Sequence, residues 1–202
     1  MPSARRFLAL GDSYTIGEGV APEARWPSVV AARLRASGVD VADPEVVAVT
    51  GWTTDELGAG IDDAAPEPPF GLVTLLVGVN DQYRGRGADT YREPYRALLR
   101  RAVFFASGDA ARVVGVSIPD WGRTAFGAAD ARGPDAIGRE IDLYNAIARE
   151  EAARAGAAWA DITTLSRRQG DLTVEDDLHP NAAAYAAWAD VIEPLARRAI
   201  SG

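Results

Sequence analysis

Short apolar runs alternate with longer amphipathic stretches along the chain, and this alternation predicts its elements. Arg6–Leu10 (RFLAL), Val46–Val49, Leu72–Val77 (LVTLLV), Val113–Ile118 and, more weakly, Ala157–Asp161 read as strands. Runs of this kind suit strands covered on both faces rather than strands with one wet side. Pro27–Ala36 reads as a helix and Thr54–Gly60 as a short one. Thr90–Ala106 places Tyr91, Tyr95, Leu98 and Ala102 on one stripe. A Gly/Pro-containing loop runs through about Pro134. The helix after it, Asp135–Ala155, carries Ile137, Ile141, Tyr144 and Ile147 in register. The last helix starts near Asn181 with Tyr185, Trp188, Ile192 and Leu195 on its inner face, and Pro194 predicts a kink in it.

Strand and helix alternate throughout, so the expected fold is α/β: a three-layer α/β/α sandwich on a parallel sheet with right-handed crossovers. In such sheets ligands bind beyond the carboxyl ends of the strands. The 202 residues show no repeat, low-complexity tract or charged tail, and a single domain over residues 1–202 is expected.

Composition narrows the chemistry. A hydrophobic fraction of 48% excludes a disordered chain, and no apolar stretch approaches the ~20 residues of a membrane span. The residues before Gly11 read as a strand rather than a signal peptide, which makes the cytoplasm the expected compartment, although a cysteine-free chain is also at home outside. The absence of Cys removes disulfides, thiolate metal sites and Cys nucleophiles. A net charge of −8 repels phosphate backbones, so nucleic acid is not an expected partner. All 21 basic residues are Arg, which removes Lys-dependent Schiff-base and P-loop chemistry. The metal ligands on offer are carboxylates without Ca-loop spacing, so neither metal nor cofactor is expected. Any imidazole mechanism must use the single histidine, His179.

Polar residues cluster where strands end. Gly11-Asp12-Ser13-Tyr14-Thr15 follows the first strand, Thr50-Gly51-Trp52 the second and Gly78-Val79-Asn80-Asp81 the third. Asp176-Asp177-Leu178-His179-Pro180-Asn181 precedes the last helix. Taken singly, each has a plain structural reading: a turn glycine, a helix cap, a surface histidine, a solvated acidic group. Taken together they supply what nucleophilic catalysis needs. A hydroxyl nucleophile requires a base, and the base requires a carboxylate to fix its tautomer. Ser13, His179 and Asp176 are those three types, and an Asp three residues before a His lets one turn present both. A tetrahedral intermediate also needs donors for its oxyanion. The N–H groups of Ser13 and Gly51 and the amide of Asn80 are candidates.

The four blocks GDSYTIGEG, VTGWTTDEL with its Gly, GVND and DDLHPN resemble those of the GDSL-type SGNH hydrolases, in the same order and over almost the whole chain. The resemblance implies a flavodoxin-like five-stranded parallel sheet in the order 2-1-3-4-5. It also implies Ser13 as nucleophile, Gly51 and Asn80 as oxyanion donors with the Ser13 N–H, and His179 as base with Asp176 as partner. Asp177 competes for that last role, and the family spacing favours Asp176. Tyr14 stands where Leu is commoner in the family. The expected reaction is hydrolysis of a small-molecule ester through an acyl-enzyme: a small acyl, carbohydrate-acetyl or lysolipid-like ester. A thioesterase or acyltransferase on the same scaffold and a non-catalytic binding module are the alternatives.

Trp52, Arg84 and Trp121, together with Phe126, are candidates for substrate contact. The plainer reading leaves the aromatics as partial core and pairs Arg84 with a nearby acid. The short loops carry no lid-like insertion, which favours small or single-chain esters over bulky lipids.

Overall fold

In the computed structural model, which describes residues 4–202, the apolar runs become the strands β1 (Phe7–Gly11), β2 (Glu45–Ala48), β3 (Leu72–Leu76), β4 (Val113–Val116) and β5 (Ala158–Ala160). They pair in parallel, in the order β2-β1-β3-β4-β5. Every residue of β1, β3 and β4 is buried, as expected for inner strands covered on both faces, whereas the edge strands β2 and β5 are partly exposed.

The helices are α1 (Ser13–Ile16), α2 (Trp26–Ala36), α3 (Thr54–Ala64), α4 (Val79–Tyr83), α5 (Ala88–Phe105), α6 (Ala125–Ala128), α7 (Pro134–Ala155), α8 (Thr163–Ser166) and α9 (Ala182–Ser201). The strand order sorts them by face. The chain steps from β1 to β2 in one direction and then through β3, β4 and β5 in the other. Right-handed crossovers therefore put α2 on one face and α3, α5 and α7 on the other. The packing agrees: α2 lies against α9, while α5 lies against α3 and α7.

Several boundaries differ from the pattern's expectation. The helix α3 runs one turn past Gly60, because Ile61 continues the buried stripe begun by Leu57. The stretch expected to be loop before Pro134 contains a 3₁₀ turn, Trp121–Arg123, and the short α6. The helix α9 carries Pro194 inside its span of Ala182–Ser201. Among the described residues no helix is long and apolar enough to cross a membrane.

The strand register brings the polar loops together. Gly11 lies opposite Ala48 on one side and Leu76 on the other, so β1, β2 and β3 end level. The chain reverses direction across the sheet between β1 and β3. The loops leaving these three strands therefore emerge side by side at the topological switch point.

Candidate active site

The first loop turns sharply. A Cβ on Gly11 would lie 2.2 Å from Thr15 Oγ1 and 2.5 Å from the Leu76 carbonyl oxygen, so only glycine lets the strand enter α1 here. Asp12 caps the turn, its Oδ1 accepting the Tyr14 N–H at 3.0 Å. Ser13 is the first helical residue, and its N–H has no intrahelical acceptor.

Gly51, beyond β2, has a φ of +87°, a left-handed conformation that favours glycine. Arg84 steadies this peptide from outside, donating to the Gly51 carbonyl at 2.6 Å and to Glu56 at 3.2 Å. Among the described residues, neither the Ser13 nor the Gly51 N–H is engaged by another backbone group. Asn80, in the first turn of α4, donates through Nδ2 to the Trp52 carbonyl at 2.9 Å. Its neighbour Asp81 accepts from the Thr54 N–H at 2.9 Å and from the Thr54 hydroxyl at 2.8 Å. Two consecutive residues after β3 thus staple the loop after β2.

The fourth loop folds on itself. Asn181 N–H donates to the Leu172 carbonyl at 2.9 Å and Val174 N–H to the His179 carbonyl at 2.8 Å. Within it Asp176 Oδ2 lies 2.5 Å from His179 Nδ1, and Asp176 Oδ1 accepts the backbone N–H groups of Leu178 and His179, each at 2.9 Å. With Nδ1 so occupied, Nε2 is the nitrogen left to the cavity. Asp177, the competing carboxylate, has a φ of +59°, and its carbonyl accepts the Phe126 N–H. Its side chain makes no bond to His179, whose carboxylate partner is Asp176.

A cavity of about 200 Å³ brings these loops together, lined on its polar side by Ser13, Thr50, Gly51, Asn80 and His179. No hydrogen bond joins Ser13 Oγ to His179 in this structure; such contacts often tighten only with substrate bound. The other walls are apolar: Tyr14, Val79, Tyr83, Trp121, Phe126 and Leu178. Of the residues expected to touch substrate, Trp121 and Phe126 line the cavity, and Trp52 and Arg84 do not. The Trp52 ring covers Gly60, where a Cβ would lie 2.1 Å from it, and Arg84 is taken up by Glu56 and the Gly51 carbonyl.

Trp121 is held by its Nε1–H, which donates to Gln82 Oε1 at 2.8 Å, and by edge contact with Tyr83 at 5.5 Å. Arg132 stacks over both rings, at 5.0 Å from Trp121 and 5.6 Å from Tyr83. Tyr83 lies in the segment Gln82-Tyr83-Arg84-Gly85-Arg86 that the sequence places around the site, but it is not singled out there as a substrate contact. It follows Asn80 by three residues, the spacing that puts two helical side chains on one face. Val79 and Leu178 adjoin Asn80 and His179 within the GVND and DDLHPN blocks.

The carboxyls around the cavity are pushed in opposite directions. Asp12 is fully buried and its Oδ2 has no hydrogen-bond partner among the described residues. Burial raises its pKa to about 8 against the pull of the Tyr14 N–H, and the like charge of Asp81 adds to the rise. Burial also raises Asp81, in opposition to its bonds from Thr54 and the charge of Arg86. For Asp176 partial burial acts upward, but the bonds from His179 and Leu178 outweigh it and hold the carboxyl below its ordinary value.

The sequence model of the GDSL-like lipase/acylhydrolase family matches residues 9–187. Among solved structures, TesA is 21% identical and superposes with a TM-score of 0.73, covering 95% of this chain and 97% of that one. The psychrotrophic esterase EstA from Pseudoalteromonas sp., in a structure inhibited by monoethylphosphonate, is 18% identical with a TM-score of 0.70, covering 98% and 100%. The acetyl xylan esterase AlAXEase is 20% identical with a TM-score of 0.70, covering 93% and 97%. At such identities these likenesses bear on the fold, which is that of the SGNH hydrolases. Among curated proteins none matches the chain. The family match takes in both Ser13 and His179 and extends over most of the sequence. The chain belongs to the GDSL-like lipase/acylhydrolase family and is a carboxylic ester hydrolase.

Proposed function

We propose that the protein hydrolyses small-molecule esters through an acyl-enzyme on Ser13. The observation that carries this reading is the Asp176–His179 pair at 2.5 Å, which commits Nδ1 and leaves Nε2 to the cavity that Ser13 lines. His179 takes the proton of the Ser13 hydroxyl as Oγ attacks the ester carbonyl. The N–H groups of Ser13 and Gly51 and the Asn80 amide receive the developing oxyanion. His179 then returns the proton to the departing alcohol, and the acyl group stays on Oγ. Water, deprotonated in turn by His179, attacks that ester and releases the acid and free Ser13.

The mixed walls suit an ester with a modest apolar arm, of the small acyl or lysolipid-like kind. The activity named for AlAXEase brings acetyl groups on carbohydrate into the same proposal. The absence of cysteine fits the proposed cytoplasmic setting, and the net charge of −8 disfavours nucleic acid as a partner.

The test is labelling of the whole protein with a fluorophosphonate, the adduct being located by peptide mass spectrometry. A single adduct on Ser13, lost in Ser13→Ala and in His179→Ala, is the expected result. Folded wild-type protein that takes no label, or takes it elsewhere, overturns the reading and leaves a binding module.

A further inference from the structure

The cavity at Ser13 does not end in solid core. Tyr14, Trp121 and Leu178 line it and also line a second hollow, of about 20 Å³, that reaches Ala184 and Trp188 of α9. A space of that size holds about one water molecule. The two hollows are therefore separated by the thickness of single side chains.

Tyr14 is the central piece of this partition. Its ring lies 5.4 Å from the His179 ring and 6.0 Å from that of Trp188, so it reaches from the imidazole to the floor of the rear hollow. Its backbone is fixed at both ends. The N–H donates to Asp12 and the carbonyl accepts the Trp26 Nε1–H at 3.0 Å. Trp121 is anchored through Gln82, and the Leu178 backbone is pinned to Asp176.

The cavity's blind and open ends are distinct. Tyr14 and Trp121 at its inner end are buried, whereas Tyr83 and Phe126 at the rim are 48% and 38% exposed. A blind apolar end suits the part of an ester that stays attached to the enzyme through both chemical steps, which is the acyl group. The alcohol must leave and water must enter by the open side. An apolar cavity of about 150 Å³ accepts benzene, so a cavity of about 200 Å³ has room for one ring or a short chain.

Building on the reading of Ser13 as nucleophile, we propose that this cavity holds the acyl group of the substrate and that Tyr14 is its length stop. Unbranched acyl groups of a few carbons, or a single aromatic acyl ring, fit in front of Tyr14. Longer chains meet its ring. The tyrosine that replaces the family's commoner leucine thus acts as a specificity determinant.

The experiment compares kcat/KM for p-nitrophenyl acetate, butyrate, hexanoate, octanoate, decanoate and benzoate in the wild type, Tyr14→Leu and Leu178→Ala. The wild type is expected to favour the shortest chains and to accept benzoate. Each variant opens the partition and moves the optimum to longer chains, by about fourfold for each further methylene buried. Leu178→Ala leaves the Tyr14–His179 contact in place, so it carries the test if Tyr14→Leu fails to fold. A second series, with acetate fixed and the alcohol lengthened, is expected to give the same order of preference in all three proteins.

An unchanged acyl optimum in the folded variants overturns the proposal. So does a wild type that prefers long chains or is inactive on the whole series, or a shift confined to the alcohol series. Fluorophosphonates with short and long alkyl arms separate this failure from that of the catalytic reading. No label on Ser13 from either arm indicts the nucleophile, whereas labelling with an arm-length preference that no variant alters indicts the partition alone.

Discussion

The two sides of the cavity are built in different ways. Ser13, Gly51 and Asn80 are carried by β1, β2 and β3, which end level in the middle of the sheet, and their loops are stapled together by Asn80 and Asp81. Asp176 and His179 hang from no strand of the sheet. Their loop, between Leu172 and Asn181, holds its shape by its own backbone bonds and by three bonds to one carboxylate. On the first side position follows from topology, and many residues share the task. On the second it follows from local hydrogen bonding, and Asp176 carries much of it alone. Single substitutions are therefore expected to act differently on the two sides.

The largest effect belongs to the loop. Asp176→Ala removes the acceptor for Nδ1 and for two backbone N–H groups at once, so both the tautomer of His179 and the course of its loop are lost. A fall in kcat on the order of 10³–10⁴-fold is expected, as for other triad carboxylates. Asp177→Ala, one residue away and unbonded to the imidazole, stays within about twofold of wild type. Equal losses in the two variants, measured by steady-state ester hydrolysis, would sink the assignment of Asp176 as the partner of His179.

On the sheet side, Asn80→Ala tests one donor while leaving the strands as they are. Loss of one oxyanion donor is expected to lower kcat by about 10²-fold or somewhat more, near 3 kcal/mol. The lost bond to the Trp52 carbonyl costs about 1 kcal/mol of stability, readable by denaturant unfolding. A wild-type kcat in a destabilised Asn80→Ala protein would make this residue a staple and not a donor.

The contrast also explains what the sequence made legible. The inner strands β1, β3 and β4 stood out because buried parallel strands are continuously apolar, and LVTLLV became β3 almost residue for residue, whereas the edge strand β5 was legible only weakly. Motif spacing gave the polar side of the cavity, since Ser13, Gly51 and Asn80 each follow a strand by a few residues. The strand order came from the family resemblance and not from periodicity. The apolar walls were only partly legible: Trp121 and Phe126 were candidates, but Val79, Tyr83 and Leu178 meet them only after three separate segments converge. Arg84 looked like a substrate ligand because sequence does not reveal that Glu56 and the Gly51 carbonyl lie beside it. Nor does composition distinguish Asp12, wholly buried, from a solvated aspartate.

That burial sharpens the comparison through pH. A carboxyl held near 8 in the folded protein and near its ordinary value when unfolded binds its proton more tightly in the fold. Its contribution to stability is complete below the ordinary aspartate range and is lost as pH rises toward about 8. Asp176 has the opposite sign: its contribution is present above the ordinary range and fades as pH falls through its lowered value. Between pH ~5 and ~8 the slope is therefore expected to come from the sheet side, approaching ~1.4 kcal/mol per pH unit for one fully linked proton. Asp12→Asn keeps an acceptor for the Tyr14 N–H and has no proton to lose in this range. Its unfolding free energy, measured in urea across that interval, is expected to decline less steeply than that of wild type, with the two curves furthest apart at the alkaline end. Parallel curves would mean that Asp12 is ionised in the fold, and the charge beside Ser13 would have to be balanced by a group other than those that surround it here.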